Sequence, residues 1–233
     1  LNDNGLDRYF FYESDGDRPW LRSTPTYQGT KSLACRIWSD TDSYKERSEV
    51  RISSPADSFR LSFTKIRYIG LAVYPHGSSD DNSGPFVLLQ AVQYGHAPEG
   101  VPFVIWCKFD GSTPKIKVEV RDSWGSKHDL SNGWVTIPKD QWSSIVALIE
   151  PRHKDDSIGK GLIRVKLDGN YIADQRLYWG YKPGDCSGGG DGNARDEWRI
   201  STGMYHPDIG NNEYTVIMLD NIRMASSWAD ASA

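Results

Sequence analysis

Arg47-Ser48-Glu49-Val50-Arg51, read together with Trp198-Arg199-Ile200-Ser201-Thr202-Gly203-Met204-Tyr205, decides the fold of this chain. Both stretches read as β-strands, in which successive side chains point to opposite faces. Arg47, Glu49 and Arg51 therefore share one face, and Ser201, Gly203 and Tyr205 share a face of the other strand. Two arginines held by a carboxylate, with a tyrosine, make a site for an acidic polymer. The same spacing also describes an exposed ion-pair ladder, because cross-strand charge pairs are common on solvated sheet faces.

Working outward, strand signals recur along the whole chain: 32–38, 46–52, 59–63, 67–74, 86–93, 103–109, 115–121, 133–137, 142–150, 162–167, 170–174, 197–205 and 214–224. Leu167-Asp168-Gly169-Asn170 is a hairpin signal, because Asp-Gly supplies the positive φ that a two-residue turn needs. Long helical periodicity is missing, and 138–141 predicts one short turn. A dozen short strands with turn-rich links predict an all-β chain. The expected architecture is a two-sheet antiparallel β-sandwich of jelly-roll, concanavalin-like type, with residues 1–233 as one domain.

The chain has 233 residues, 38% of them hydrophobic and 12% aromatic, enough to bury a core and still line a surface with rings. Its net charge of −4 gives no global basic field for nucleic acid, so an anionic ligand must be held by local cations. No apolar run approaches the ~20 residues needed to span a membrane. The start at Leu1, with no signal peptide, reads as a mature, secreted chain. A monomer is expected.

Cys35, Cys107 and Cys186 are an odd number: one pair can be a disulfide with a thiol left over, or all three can be reduced. Their spacing fits no zinc pattern. The loops 75–85 and 182–194 are rich in Gly, Ser and Asp. Asp80, Asp81, Asp185 and Asp191 offer oxygen ligands for a structural Ca²⁺, without EF-hand spacing, and solvated loops are the default reading. No cofactor is expected to be required.

The order of signatures carries a resemblance. RSEVR at 47–51, Gln90 in FVLLQAVQ, the block 141–174, WRISTGMY at 198–205 and VIMLDNIRM at 216–224 follow one another. This resembles the jelly-roll polysaccharide lyases, in particular the glucuronan-lyase and heparin-lyase-like group (polysaccharide lyase family 20 and relatives). It is also distantly similar to the family 7 alginate lyases, whose R-(S/T)-E-L-R, Q-(I/V)-H and Y-F-K-A-G-V-Y strands build the cleft. Arg47, Glu49 and Arg51 match the first motif, Gln90 the second, and Gly203 and Tyr205 the third. Val92 stands where the second motif has histidine, and Ser201 where the third has lysine.

The resemblance implies β-elimination on a polyuronate, an acidic polysaccharide of glucuronan or alginate type. The step removes the C5 proton, and an arginine with a glutamine amide stabilises the charge that develops on the adjacent carboxylate. A tyrosine phenolate, favoured by neighbouring cations, can take that proton, and the same phenol can return one to the O4 leaving group. Tyr205 takes this role, with Arg47, Arg51 and Gln90 around the carboxylate and Glu49 holding the arginines. His76 and His96 are candidate supporting bases, since each lies near a loop flanking the Gln90 strand. Lys108, Lys117, Arg199, Tyr94 and Tyr181 are candidate substrate-binding residues, and Trp106, Trp124 and Trp179 candidate stacking rings. No metal ligand set is expected.

Each of these residues has a plainer reading as a sheet aromatic, solvated strand residue, loop histidine or core tryptophan. A non-catalytic carbohydrate-binding module or lectin uses the same sandwich and the same aromatic residues. A glycoside hydrolase would need paired carboxylates in the cleft, and a structural or adhesion domain is a further alternative. The fold alone does not choose among them.

Overall fold

A computed structural model describes residues 10–13, 19–39, 44–45, 47–52, 61–63, 65–78, 84–94, 101–123, 126–184, 195–206 and 214–232. In chain order the strands are β1 (Phe10–Glu13), β2 (Trp20–Arg22), β3 (Ser32–Ser39), β4 (Tyr44–Lys45), β5 (Arg47–Ile52), β6 (Arg67–Ser78), β7 (Phe86–Gln93) and β8 (Phe103–Asp110). They continue as β9 (Thr113–Ser123), β10 (Ser126–Asp129), β11 (Val135–Thr136), β12 (Ser143–Glu150), β13 (Gly161–Leu167), β14 (Asn170–Leu177), β15 (Trp198–Tyr205) and β16 (Tyr214–Ala225). A short helix, α1 (Trp228–Ser232), follows.

The strands form two antiparallel sheets. The first runs β1-β5-β15-β7-β8-β9-β10 with β11 on β9; the second runs β14-β13-β12-β6-β16-β3-β2 with β4 on β3. The predicted β-sandwich is therefore present. Period-2 alternation explains why these sequences choose it. In β9, Ile116, Val118 and Val120 are fully buried while Lys115, Lys117 and Glu119 alternate to the other side. Val50, Leu89, Ile105 and Ile116 of the first sheet share one core with Leu71, Val73, Ile145, Ile163, Val165 and Ile217 of the second. Each such side chain contributes about 1.5–3 kcal/mol on burial. One face of each sheet is thereby spent on the core, and the outer faces are left for other work.

The hairpin at 167–170 forms as expected, with Asp168 and Gly169 at φ 48° and 82° and Leu167 paired to Asn170. Asp168 Oδ1 also accepts the Ser144 N–H at 2.7 Å, which ties the turn to β12. The turn at 138–141 is present too, with Asp140 at φ 53°. Other expectations shift. Residues 61–63 are not a strand but lead into a turn, closed by the Lys65 N–H on the Ser62 carbonyl at 3.0 Å. β6 runs on to Ser78, so the expected loop at 75–85 begins as strand. The strands β1, β2, β4 and β10 and the helix were not legible as such. They are short, and pairing with a neighbour rather than their own pattern makes them strands.

Cys35 and Cys107 are buried free thiols, so of the alternatives left open the reduced one holds for both. Burial pushes both thiols well up from the ordinary cysteine value, as befits core residues. Cys186 lies outside the described residues, as do Asp80, Asp81, Asp185 and Asp191. Among the described residues no group of three or more metal-ligating side chains converges. No helix of the described residues is long and apolar enough to cross a membrane.

Candidate functional site

β15 lies between β5 and β7, and its register sets the site. Tyr205 is directly opposite Arg47, Gly203 opposite Glu49, and Ser201 opposite both Arg51 on one side and Gln90 on the other. Directly opposed residues share a face. Arg47, Glu49, Arg51, Gln90, Arg199, Ser201 and Tyr205 therefore all project from the outer face of the first sheet; alternation had grouped Arg47, Glu49 and Arg51, and separately Ser201 and Tyr205. Gly203 is what lets the strands close up. Its φ is +141°, and a Cβ there would fall 2.3 Å from the Ser48 carbonyl oxygen and 2.6 Å from Glu49 Cα. Only glycine accepts both conditions.

Glu49 is the hub. Its side chain is 1% exposed, its Oε1 accepts the Gln90 Nε2–H at 2.7 Å, and its Oε2 lies 3.5 Å from Arg47 Nε. Burial pushes the Glu49 carboxyl above the usual carboxylate range, while Arg47, the Gln90 amide and Arg199 pull the other way. Held in this manner, the Arg47 guanidinium sits over the Tyr205 ring at 4.2 Å from its centroid. The Ser201 hydroxyl is buried and has no hydrogen-bond partner among the described atoms.

A second pair of arginines lies one step along the same face. Burial lowers the pKa of Arg51, and the charge of Arg199 lowers it further. Burial likewise lowers that of Arg199, with Tyr94 and Glu49 opposing and Arg47 adding to the effect. The like charge of Arg199 thus acts on Arg51 in a partly desolvated place, where charges are felt more strongly than in water. Tyr94, 38% exposed, belongs to this end of the site.

The remaining candidates divide. Lys108 and Lys117 are on the outer face of β8 and β9, and Trp106 stands between Val87 and Lys117 in the row that starts at Tyr205. Tyr181 is not a surface residue: it is 2% exposed, and its backbone N–H and carbonyl are bound by the Gln93 amide. Trp179 is fully buried, packed on Phe103 and Trp198, so its ring cannot meet a sugar. His76 is on β6 of the second sheet, on the side away from the core, where Nδ1 meets Asp140 Oδ1 at 2.9 Å and the ring lies beside Tyr74. The sandwich stands between it and Tyr205, so it is not brought to this site. His96 and Trp124 lie outside the described residues.

Two residues near the site were missed by sequence reasoning. His206, next after Tyr205, is buried, with its ring filling the space where a Cβ on Gly84 would be. Trp134 precedes β11 and presents its ring to Lys108 and Lys117. The Asn132-Gly133 pair before it was a turn signal that could have drawn attention to it.

No protein-family model and no curated protein matches the chain. Solved structures do. An endo-β-1,4-glucuronan lyase from the fungus Trichoderma reesei matches at 14% identity and a TM-score of 0.68, over 99% of this chain and 94% of that one. A marine PL7 alginate lyase from Zobellia galactanivorans matches at 10% identity and a TM-score of 0.55, over 94% and 96%. The receptor-binding domain of botulinum neurotoxin D matches at 8% identity and a TM-score of 0.51, over 97% of this chain and 46% of that one. At these identities the likeness is one of fold, and in fold the resemblance to jelly-roll lyases drawn from the ordered motifs holds.

Proposed function

We propose that this chain is a polysaccharide lyase that cleaves a polyuronate, of glucuronan or alginate type, by β-elimination. The observation that carries the reading is the Arg47–Tyr205 pair: a guanidinium 4.2 Å from the ring centroid of a tyrosine, anchored by a buried carboxylate that also fixes Gln90.

The step follows from those groups. The uronate carboxylate lies against Arg47, with the second N–H of the Gln90 amide as a further donor. Charge that develops there as C5 loses its proton is met by donors already in place. The Tyr205 phenolate takes the C5 proton, the C5 electron pair forms the C4–C5 double bond, and the C4–O4 bond breaks. The phenol then gives its proton to the departing O4. The products are a 4,5-unsaturated uronate and a chain with a free hydroxyl, so atoms and charge balance without a cofactor. Val92 leaves no histidine two residues after Gln90, and one tyrosine serves both transfers. A polymeric substrate of this kind places the enzyme outside the cell.

Hydrolysis fits the same residues poorly. Glycosidases set two carboxyls about 5–9.5 Å apart. Glu49 and Glu119, the buried carboxylates on this face among the described residues, lie four strand spacings apart, roughly 19 Å. Glu49 is also already engaged by Arg47 and Gln90.

The test is the ultraviolet absorbance of unsaturated uronates during incubation with glucuronan, alginate, heparin-type glycans, pectate and a neutral β-glucan. Absorbance should rise on at least one polyuronate and never on the neutral glucan. Binding to polyuronates with no product from any of them would instead make the chain a carbohydrate-binding module.

A further inference from the structure

We propose that Trp134, Lys108 and Lys117 form a distal uronate-binding subsite, which grips a second sugar of the polymer away from the bond being broken. The proposal rests on the polyuronate reading above and extends it along the same face.

The loop that carries Trp134 is tightly built. Asp129 accepts the Ser131 N–H and hydroxyl on Oδ1, at 3.0 and 3.1 Å, and the Gly133 N–H on Oδ2 at 3.1 Å. The Ser131 hydroxyl shares its one proton between Asp129 Oδ1 and the Gly133 carbonyl, 2.8 Å away, and accepts the Val118 N–H at 3.0 Å, joining the loop to β9. Asn132 and Gly133 take φ of 55° and 104°, turning the chain so that Trp134 faces the strands. The indole is thus placed before any ligand arrives, which limits the ordering cost of binding.

Two ammonium groups converge on that one ring. Lys108 Nζ is 4.8 Å and Lys117 Nζ 5.4 Å from its centroid. Lys117 is tied to Glu119 Oε2 at 3.2 Å, whereas among the described residues Lys108 has no carboxylate within ion-pair distance. All three side chains are partly exposed. A uronate satisfies both parts of this arrangement: its C–H face packs on an indole, and its carboxylate takes charge-assisted bonds from the lysines. A neutral sugar would use only the ring, and a small anion only the lysines.

The distance suits a separate sugar. Lys117 is in the row Tyr205–Val87–Trp106–Lys117, three strand spacings from β15 and hence about 14 Å from Tyr205. A polymer lying across the strands would pass Trp106 and reach Trp134.

The experiment is calorimetric binding of uronate disaccharides and long oligouronates, prepared from glucuronan and from alginate, to protein carrying Tyr205→Phe so that nothing is cleaved. Adding Trp134→Ala or Lys108→Gln should each weaken long-oligomer binding about tenfold and spare the disaccharide. The loss with Lys108→Gln should shrink as salt is raised. Trp134→Phe, which keeps a ring, should lose less than Trp134→Ala. Should Trp134→Ala disturb the loop, Lys108→Gln gives the same readout without touching it. Long-oligomer binding unchanged in both variants, or an equal loss for disaccharide and long oligomer, overturns the proposal. If the parent forms no unsaturated product yet the variants lose polymer affinity, the subsite stands and the lyase reading falls. If product forms and both variants bind like the parent, the reverse holds.

Discussion

On the outer face of the second sheet, Arg164 Nε meets Asp174 Oδ1 at 2.8 Å across two strands, both side chains 41% exposed. On the outer face of the first sheet, Arg47 and Arg199 act on Glu49, which is 1% exposed, Arg47 covers the Tyr205 ring, and Arg51 lies within reach of Arg199's charge. Both faces carry charged side chains on alternating positions, and alternation alone does not tell them apart. Burial does. The first arrangement is a matched pair in water, worth little to stability and asking for nothing. The second holds a buried carboxylate between Arg47 and the Gln90 amide, on the face where an anionic ligand is proposed to bind. RSEVR does carry an ion pair, Arg47–Glu49, but its carboxylate is buried, whereas that of the Arg164–Asp174 pair stands in water.

The sharpest way to break this contrast is to remove one hydroxyl. Tyr205→Phe keeps the ring under the Arg47 guanidinium, so the thermal midpoint should hold while unsaturated-product formation drops by about 10²–10⁴-fold. Near-normal turnover would remove Tyr205 from the chemistry. Next in size is Arg47→Ala, which takes away the charge proposed to face the uronate carboxylate. A loss in kcat of about 10²–10³-fold is expected, with polyuronate binding also weakened. An unchanged kcat would mean that Arg47 serves only to bind.

Gly203→Ala should disturb the frame that brings the residues together. The added methyl meets the Ser48 carbonyl and forces φ out of the region glycine allows, at about 1–3 kcal/mol, seen as a lower thermal midpoint and lower activity together. Full stability would show that β5 and β15 are less tightly apposed than described.

The pH dependence of activity should be set by Glu49. Its folded-state pKa is raised by burial, so the folded protein binds that proton more tightly than the unfolded chain does. The cost of burying the ionised form is present above the folded pKa and disappears as pH falls through it, so acidification does not unfold the protein through this group. It does free Arg47 and Gln90 from their anchor. Activity should therefore fall on the acid side at a pH above the ordinary glutamate range, while the fold persists. A Glu49→Gln variant that keeps the same acid limb would assign the limb elsewhere. The smallest effect belongs to the second sheet: Arg164→Ala should cost about 0.2–1 kcal/mol or less and leave activity alone.

Much of this site was legible because strands enforce a period of two. Arg47, Glu49, Arg51 and Tyr205 could be put on one face from their spacing, and pairing then set Tyr205 opposite Arg47. Gln90 was harder. β7 shifts register between Val87 and Leu89, and β15 between Thr202 and Tyr205, so counting residues does not give the row on which Gln90 meets Ser201. His76 was misplaced because β6 continues past Tyr74 and carries it onto the other sheet. Tyr181 and Trp179 are aromatic residues outside the named strands, where no alternation reveals that they point inward. Trp134 depends on hydrogen bonds from Asp129 and Ser131, a loop geometry that residue spacing does not encode.

The most direct measurement is a structure of the Tyr205→Phe protein with an oligouronate bound. The uronate at the point of cleavage should place its carboxylate against Arg47 and Gln90, with C5 turned toward the ring at position 205, on the outer face of the first sheet. An oligouronate seated instead on the second sheet, among Tyr27, Tyr74 and Trp142, or one lying on the first sheet with its carboxylates turned away from Arg47, would contradict the assignment of elimination to this site.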